Sequence, residues 1–466
     1  MGNQFDIIII GAGPGGYVTA IKAAQLGFKT AIIEEIRVGG TCLNRGCIPA
    51  KAMLHAASLY SEMKDGERFG ILSPDVTYDY KKILSYKEET TDKLCQGVEQ
   101  LLKANKVTVL SGRGRLEQDG SVCVTSKEGE KKYQAKHVVL ATGSTPILLP
   151  LPGFQLPGVL TSDEVFQLTE VPESLMIVGG GVIGVEFATI FSSLGCKVTI
   201  VEAMSRLVPN LDKEISQNLK MILKRKGVEI HTSVAVQKVE SQDNLYTCTF
   251  LEKEKEVQVS AQYVLCAVGR RPYLEGLLGE GVNLSLDKGR IKVDEHFGTS
   301  REGVYAIGDI IKGAQLAHVA SAQGIYLAEE LAGKKPTVDL RAVPSCVYTN
   351  PEIAAVGLSE EDAKDKGIEI KTGKFIMSAN CKSLITKEER GFIKVVADAG
   401  SEVILGAQMM CARATDMIGE FGTAVANGLT VHQLLKTMRA HPTYNEGVAE
   451  ALEDVIGGAI HIAPKK

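Results

Sequence analysis

The sequence lacks tryptophan and is poor in other aromatic residues, with 12 Phe and 13 Tyr among 466 residues. An antibody-like sandwich, or a surface that stacks nucleic-acid bases on aromatic rings, would normally need more of them. Charge of one sign is also not in excess, since 52 Lys and Arg stand against 56 Asp and Glu, a formal net charge of −4. No basic stripe stands out, so no nucleic-acid partner is expected.

Long apolar runs are missing as well. No segment approaches the roughly 20 apolar residues that cross a bilayer, so we expect no membrane span. The first residues, MGNQFDIIIIGAGPGG, lack the basic segment and the cleavage site of a signal peptide. We therefore expect a soluble, cytoplasmic protein.

Cysteines are present but do not form a scaffold. The chain has 10 of them, widely spread, and Cys42 and Cys47 are the pair that lies close together. A disulfide-stabilised fold would be smaller and denser in cysteine, and a structural zinc site would need a second pair of ligands nearby. We expect no metal site.

Glycine is abundant, at 48 of 466 residues, and the apolar and charged fractions of 44% and 23% are those of a globular protein. The length suggests about three domains. Excess glycine without a collagen period suggests many tight strand-to-helix turns, and the sequence also contains an internal repeat. The segment DIIIIGAGPGGYVTAIKAAQLGFKTAIIEE near the start recurs as SLMIVGGGVIGVEFATIFSSLGCKVTIVEA. Each copy predicts a strand, a glycine turn, a helix and a second strand that ends in an acid.

This arrangement is the fingerprint of a dinucleotide-binding unit. The first glycine permits a tight turn, the second lets the backbone approach a pyrophosphate, and the third lets the helix pack on the strand. The terminal acid accepts hydrogen bonds from ribose. The residues are Gly11, Gly13, Gly16 and Glu34 in the first copy, and Gly179, Gly181, Gly184 and Glu202 in the second.

Two copies imply two dinucleotides, most simply FAD and a nicotinamide dinucleotide. Glu202 would repel a 2′-phosphate and favours NAD, although Arg206 lies near enough in sequence to meet one. One working site beside a degenerate copy is the alternative. Further apolar strands run into glycine turns at 137–146, 263–272 and 303–310, and the last of them ends at Asp309.

The pattern changes from about residue 345, where strand-like segments (KTGKFIM, GFIKVVAD, VILGAQMM) precede helical ones. We predict an α/β fold with two Rossmann-like, three-layer dinucleotide-binding domains and a C-terminal α+β dimerisation domain. The expected boundaries are 1–147 with 271–344 for the FAD-binding domain, 148–270 for the NAD-binding domain and 345–466 for the dimerisation domain.

Cys42 and Cys47 follow the first repeat, in GGTCLNRGCIPAK. A helical turn would bring their Cα atoms within disulfide range, and a helix N-terminus would lower a thiol pKa. In a reducing compartment such a pair is catalytic rather than structural, although a structural disulfide and a metal site are alternatives. Lys51 follows the pair. Glu186, on the helix of the second repeat, is a candidate partner for Lys51, but the spacing does not decide this.

An acid–base pair is predicted near the end of the chain, in MRAHPTYNEGVAEAL. His441 is suited to accept a thiol proton near neutral pH, and Glu446 is placed to orient it. A histidine before a proline is often an ordinary turn residue, which is the alternative.

Taken together, the two fingerprints, TCLNRGCIPAK and HPTYNE resemble the dihydrolipoamide dehydrogenase family, class I pyridine nucleotide-disulfide oxidoreductases, from residue 5 to about residue 460. The resemblance implies FAD- and disulfide-dependent oxidation of dihydrolipoyl groups with reduction of NAD+. Another NAD(P)H-dependent flavoprotein disulfide reductase, similar to glutathione or mercuric reductase, is the enzymatic alternative. A flavoprotein that serves as a binding subunit is the other, and a binding subunit need not keep both cysteines, His441 and Glu446.

The resemblance also implies roles for individual residues. Cys47 is the flavin-proximal thiol, Cys42 exchanges with substrate, and His441, held by Glu446, reaches the disulfide of the other subunit. FAD is contacted by Gly11, Gly13, Gly16, Glu34, Thr41, Lys51, Gly114, Thr142, Gly143, Asp309 and Ala317. Gly179, Gly181, Gly184, Glu202, Val236 and Gly269 line the NAD path, with Glu186 beside the flavin.

The expected partners are a second copy of the chain and a lipoyl-bearing subunit of a 2-oxoacid dehydrogenase, acetoin dehydrogenase or glycine-cleavage complex. The chain departs from the family pattern at Arg45 and Ala50, where an apolar residue and Ser are more usual, and at Gln323, where an acid is common. None of these changes removes a reacting group.

Overall fold

The structure is a computed structural model that describes residues 3–463. The chain forms three units, each built around its own sheet, and the first unit is completed by a segment that follows the second. The first unit begins with strands and helices in the order β1 (Gln4–Ile10), α1 (Pro14–Gln25), β2 (Thr30–Glu34), α2 (Gly40–Arg45), α3 (Cys47–Lys64), α4 (Tyr80–Ala104), β3 (Thr108–Ser111), β4 (Arg113–Leu116), β5 (Val122–Ser126), β6 (Gly129–Leu140) and β7 (Ser144–Pro146).

The first sheet has the strand order β3-β2-β1-β6-β5-β4. Strand β1 is parallel to β2 and β6, while β5 is antiparallel to β6. The four isoleucines at 7–10 are buried, as expected for a parallel strand that is covered on both faces.

The second unit follows from residue 159. Its elements are β8 (Val159–Thr161), β9 (Ser174–Val178), α5 (Val182–Ser193), β10 (Lys197–Glu202), α6 (Lys213–Arg225), β11 (Glu229–Thr232), β12 (Val236–Gln242), β13 (Leu245–Glu252), β14 (Lys255–Ala261) and β15 (Tyr263–Cys266). The parallel sheet runs β11-β10-β9-β15-β8. Helices α5 and α6 pack on one face, and the antiparallel β12-β13-β14 sheet packs on the other through Phe154 and Phe250. The unit thus has the three layers expected of it, although the sequence did not identify the antiparallel sheet as one of them.

The chain then returns to the first unit through β16 (Arg270–Pro272), β17 (Leu286–Asp287), β18 (Arg290–Ile291), β19 (Val304–Ala306) and α7 (Ala317–Leu331). Strand β16 pairs with β7, and β19 adds in parallel to β6. The segment after residue 270 therefore completes the first sheet.

The third unit contains β20 (Ser345–Val347), β21 (Glu352–Gly357), α8 (Glu360–Asp365), β22 (Ile370–Ile376), α9 (Cys381–Thr386), β23 (Phe392–Asp398), β24 (Ile404–Cys411), α10 (Ala414–Asn427), α11 (Val431–Leu435) and α12 (Glu446–Val455). Its sheet is antiparallel in the order β20-β21-β24-β23-β22. Phe375, Met409 and Phe421 belong to its core. The predicted fold class is confirmed. Short 3₁₀ helices occur at Gly66–Phe69, Val165–Gln167, Gly308–Ile310 and Met377–Ala379.

Ion pairs fasten the third unit to the second. Lys394 on β23 lies 2.8 Å from Asp212, the residue that caps α6, and both side chains are largely buried. Lys374 on β22 pairs with Glu214 of the same helix. Across residues 3–463, none of the helices combines the length and the apolar character needed to cross a membrane.

Candidate active site

A single cavity of about 1720 Å³ connects the two glycine turns, and the cysteine pair lies on its wall. Sites for one small molecule typically measure about 300–1,000 Å³. The cavity therefore has room for two ligands placed one after the other, with Cys42 and Cys47 along the route.

The backbone conformation at the first position of each fingerprint requires glycine. Gly11 has φ +103° and Gly179 has φ +112°, and a Cβ atom on either would lie 2.4 Å from a backbone oxygen, of Ala141 and Ala267 respectively. Residues with a side chain rarely adopt this left-handed backbone conformation, and here the side chain would also collide with the neighbouring backbone. The two turns thus have the same geometry.

The second glycine of each fingerprint faces the cavity. A Cβ on Gly181 would meet no atom within 4 Å, and one on Gly13 would meet Gly40 at 3.9 Å. Both residues begin a helix that has no side-chain cap, so the first amides of α1 and α5 are available to an anion. This open, amide-lined space fits the pyrophosphate of a dinucleotide.

The third glycine of each fingerprint lies outside the cavity wall. Cβ atoms on Gly16 and Gly184 would stand 1.8 and 2.0 Å from the carbonyl oxygens of Gly11 and Gly179. These two positions therefore set the close approach of helix to strand rather than a ligand contact.

The acid that ends each repeat binds its own glycine turn. Glu34 accepts hydrogen bonds from the amides of Ala12 (2.9 Å) and Ile36 (3.0 Å). Glu202 accepts from the corresponding amides of Gly180 and Met204. Each carboxylate is thereby held at the edge of the cavity, where the ribose of a dinucleotide would lie.

The remaining cofactor residues predicted from the sequence also line this cavity. Asp309 accepts a hydrogen bond of 2.6 Å from the Ser144 hydroxyl, which fixes its carboxylate. The wall includes Thr41, Gly114, Thr142, Gly143, Asp309 and Ala317 on the side of the first turn, and Val236 and Gly269 on the side of the second.

Cys42 lies within α2, and Cys47 is the first residue of α3. The two sulfurs are not bonded, and the Cys42 thiol donates a hydrogen bond to Cys47. This hydrogen bond, helped by the charge of Lys51, holds the pKa of Cys47 below the usual thiol value, and it raises the pKa of Cys42. The pair therefore has the arrangement of a reduced dithiol that keeps its thiolate on Cys47.

Lys51 and Glu186 bind each other beside the pair. Lys51 Nζ lies 2.8 and 2.9 Å from the two carboxylate oxygens, and the amide of Tyr348 donates to Glu186 Oε1 at 3.1 Å. Lys51 Nζ also stands 4.5 Å from the centre of the Tyr348 ring. Residues of all three units thus meet at this point, and the partner that spacing left open for Lys51 is Glu186.

His441 and Glu446 form the pair suggested by the sequence. His441 Nδ1 is 2.8 Å from Glu446 Oε1, and the amide of Thr443 donates to Glu446 Oε2 at 2.9 Å. Partial burial raises the pKa of Glu446, but the Thr443 amide and His441 outweigh it and hold the pKa below its usual value. The His441 side chain is 67% exposed, and in the described part of the chain it does not line the cavity of its own cysteines.

Comparison with known proteins agrees with this geometry. Residues 5–324 match the pyridine nucleotide-disulphide oxidoreductase family, and residues 343–452 match the dimerisation domain of that family. The chain belongs to this family. The recognition made from the sequence motifs is thereby confirmed.

Members of the oxidoreductase family resemble the chain along almost its whole length. It is 40% identical to a dihydrolipoyl dehydrogenase of Bacillus subtilis, over 99% of this chain and 100% of that protein. It is also 40% identical to a dihydrolipoyl dehydrogenase of Geobacillus stearothermophilus, over 99% and 98%. The HOCl-induced flavoprotein disulfide reductase RclA of Escherichia coli superposes with a TM-score of 0.85 at 28% identity, covering 96% of this chain and 99% of RclA.

Some residues of the site gave no signal in the sequence. Cys346 and Tyr348 of the third unit line the cavity, and Asp163 of the second unit lies 3.2 Å from both Arg45 and Arg270. These residues come from distant segments, and no local pattern marks them. Within residues 3–463, no group of three or more His, Cys, Asp or Glu side chains is arranged to hold a metal ion.

Proposed function

We propose that this chain is a dihydrolipoyl dehydrogenase, which oxidises the dihydrolipoyl group carried by an acyltransferase or an H-protein and reduces NAD+ to NADH. The observation that carries this proposal is the Cys42–Cys47 dithiol beside the Lys51–Glu186 pair, in one cavity with both glycine turns. Relatives named dihydrolipoyl dehydrogenase, 40% identical over nearly the full length, support it.

FAD and NAD are the cofactors. The open amide-lined space at Gly13 suits the pyrophosphate of FAD, and the matching space at Gly181 suits that of NAD. FAD, when bound, supplies a two-electron carrier between the cysteine pair and NAD+. Glu202, held by two amides at the second turn, favours a free ribose hydroxyl over a 2′-phosphate.

The thiol chemistry starts from the oxidised pair. His441 of the second subunit accepts a proton from the substrate dithiol, and the resulting thiolate attacks the sulfur of Cys42. The Cys42–Cys47 bond breaks, and Cys47 leaves as a thiolate. The second substrate thiol then attacks the mixed disulfide, closes the lipoyl ring and releases Cys42 as a thiol. Two electrons and two protons leave the substrate in all.

The hydrogen bond from Cys42 and the charge of Lys51 stabilise the Cys47 thiolate that these reaction steps require. Its lowered pKa makes Cys47 the better leaving group, which directs the substrate thiolate to Cys42. Glu446, kept ionised by the Thr443 amide, orients His441.

The active form is a homodimer, since His441 lies outside the cavity of its own cysteines and residues 343–452 match a dimerisation domain. We propose residues 1–147 with 271–344 as the FAD-binding domain, 148–270 as the NAD-binding domain and 345–466 as the dimerisation domain. The lipoyl arm comes from a 2-oxoacid dehydrogenase, acetoin dehydrogenase or glycine-cleavage complex. A cytoplasmic location suits ten widely spread cysteines.

Two assays on the purified protein test this proposal. The absorption spectrum should report bound flavin, and NADH should form from NAD+ and dihydrolipoamide. NADPH consumption with glutathione disulfide is the control for another disulfide reductase. A flavin-free protein, or one that uses glutathione disulfide and ignores dihydrolipoamide, would refute the assignment.

A further inference from the structure

The loop that follows β10 carries an arginine next to the proposed NAD site. Arg206 lies four residues beyond Glu202. The loop is fixed against the second glycine turn, because the amide of Val208 donates to the Gly180 carbonyl at 2.9 Å and the Leu207 side chain covers Gly180. Ala203 and Met204, at the start of the same loop, line the cavity. Arg206 is thus anchored close to the edge where the adenosine ribose would lie.

An arginine in this position is the usual means of binding the 2′-phosphate of NADP. Here its guanidinium points elsewhere. One terminal nitrogen is 3.2 Å from Glu361 Oε1, and the other is 2.9 Å from Glu361 Oε2 and 3.0 Å from the carbonyl oxygen of Pro209. Within the described residues, Arg206 is not part of the cavity wall.

Glu361 belongs to α8 of the third unit, and its helix is firmly placed. Ser359 caps α8 and shares a capping box with Asp362. The strand that contacts α8 is β22, whose Lys374 pairs with Glu214 of α6 in the second unit, and Lys394 on the neighbouring strand β23 pairs with Asp212. The fork of Arg206 and the carboxylate of Glu361 therefore meet in a two-pronged geometry that fixes the guanidinium.

We propose that Glu361 is a specificity-determining residue, which acts by holding Arg206 away from the ribose 2′ position. It removes the one cation of this loop from reach of a 2′-phosphate, and so adds to the repulsion by Glu202. Discrimination against NADP is thus shared between the second and third units. The inference rests on the proposed function, because it takes the second glycine turn as the nicotinamide-dinucleotide site.

The expected effect is modest, since the side chains of Arg206 and Glu361 are 28% and 48% exposed. An exposed ion pair contributes up to about 1 kcal/mol, so its release should change phosphate affinity by about two- to fivefold. The change should shrink as salt is added, because exposed charges are screened.

Calorimetry on the FAD-loaded protein, with adenosine 2′,5′-bisphosphate and with ADP as probes, tests this inference. Glu361→Gln should tighten binding of the 2′,5′-bisphosphate by about two- to fivefold and leave ADP within twofold. The double variant Arg206→Ala with Glu361→Gln should lose that gain. Glu360→Gln is the matched control, because it removes the same charge from the same helix at a residue that lies 3.0 Å from Lys364 and 3.9 Å from Lys394 and, among the described residues, forms no ion pair with Arg206.

Three outcomes would overturn the inference. These are no gain in Glu361→Gln, an equal gain in Glu360→Gln, or a gain that survives removal of Arg206. Neither probe contains nicotinamide and no dithiol is present, so these results do not depend on turnover. A wild-type protein that binds neither probe would contradict the proposed NAD site itself, and that result is distinct from a protein that binds ADP but shows no gain.

Discussion

Lys51 on α3 and Glu186 on α5 bind each other through both carboxylate oxygens, at 2.8 and 2.9 Å, across the boundary between the two glycine-turn units. The charge of Lys51 lowers the pKa of Cys47, and the charge of Glu186 raises it. The pair therefore adjusts the thiolate at the position where electrons would leave the cysteines.

Replacing Lys51 should shift the titration of Cys47. Lys51→Met removes a positive charge that favours the thiolate, so the pKa of Cys47 should be higher in this variant than in the wild-type protein. Alkylation of the reduced protein, followed across pH by mass spectrometry, measures the shift, because Arg45 places Cys42 and Cys47 in separate tryptic peptides.

Lys64→Met is the control for Lys51→Met, since Lys64 stands at the far end of the same helix. It should leave the alkylation profile of Cys47 unchanged. A midpoint that moves to lower pH in Lys51→Met would show that Lys51 does not stabilise the thiolate.

Cys47→Ser should retain flavin and lose NADH formation from dihydrolipoamide, because the pair no longer forms a disulfide. Cys346→Ser is a matched control, since Cys346 lines the same cavity. Burial raises the pKa of Cys346 to about 11, so this thiol stays protonated near neutral pH. Full turnover by Cys47→Ser, or its loss in Cys346→Ser, would assign the reacting sulfurs differently.

His441→Ala should lower the rate by about 10²–10⁴-fold, the usual contribution of a general base. His461→Gln is the control, because His461 lies 2.6 Å from Glu450 in a similar pair, and Glu450 is on the same helix as Glu446. Dissociating and reassociating a mixture of Cys42→Ser and His441→Ala proteins should restore activity, since each mixed dimer regains one complete centre. Failure of the mixture, with heterodimers demonstrated, would place the base and cysteines in one subunit.

Lys394→Met should destabilise the fold by about 3–5 kcal/mol, because it leaves the carboxylate of Asp212 buried without its partner. The midpoint of urea unfolding measures the change, and Lys371→Met, at an exposed pair with Glu402, should have little effect.

The pH dependence of this contribution has a definite sign. Burial lowers the pKa of Lys394, but Asp212 and Glu214 outweigh it and raise the pKa above 10.5. The stabilisation is therefore complete below about pH 10.5 and is lost as pH rises through the folded-state pKa. Wild type and Lys394→Met should differ equally at neutral and mildly alkaline pH, and converge in strong alkali.

The sheets could be predicted where the signal is local. Both glycine fingerprints repeat over 30 residues, and the strands expected around 371–377, 391–398 and 403–410 are β22, β23 and β24 with ends within one residue. The sheet of β12, β13 and β14 has no clear signal in the sequence, because many of its exposed positions are charged. Its apolar face packs on the parallel sheet of the second unit, and the sequence does not show that these two sheets are neighbours.

The contacts of the site depend on folding rather than on spacing. Lys51 and Glu186 are 135 positions apart, and Arg206 and Glu361 are 155 apart. The sequence shows that these side chains are charged, but which of them pair is decided by how the three units pack together. The motif around His441 likewise does not predict that its side chain is exposed, because this exposure depends on how the third unit folds.

That exposed histidine has a consequence for cells that carry two versions of the gene. In the proposed homodimer, a single polypeptide lacking both Cys42 and His441 would disable its own centre through the missing sulfur and its companion's centre through the missing base. Every mixed dimer would then be inactive although one of its two chains is intact. Such an allele would be dominant-negative rather than a simple loss of function.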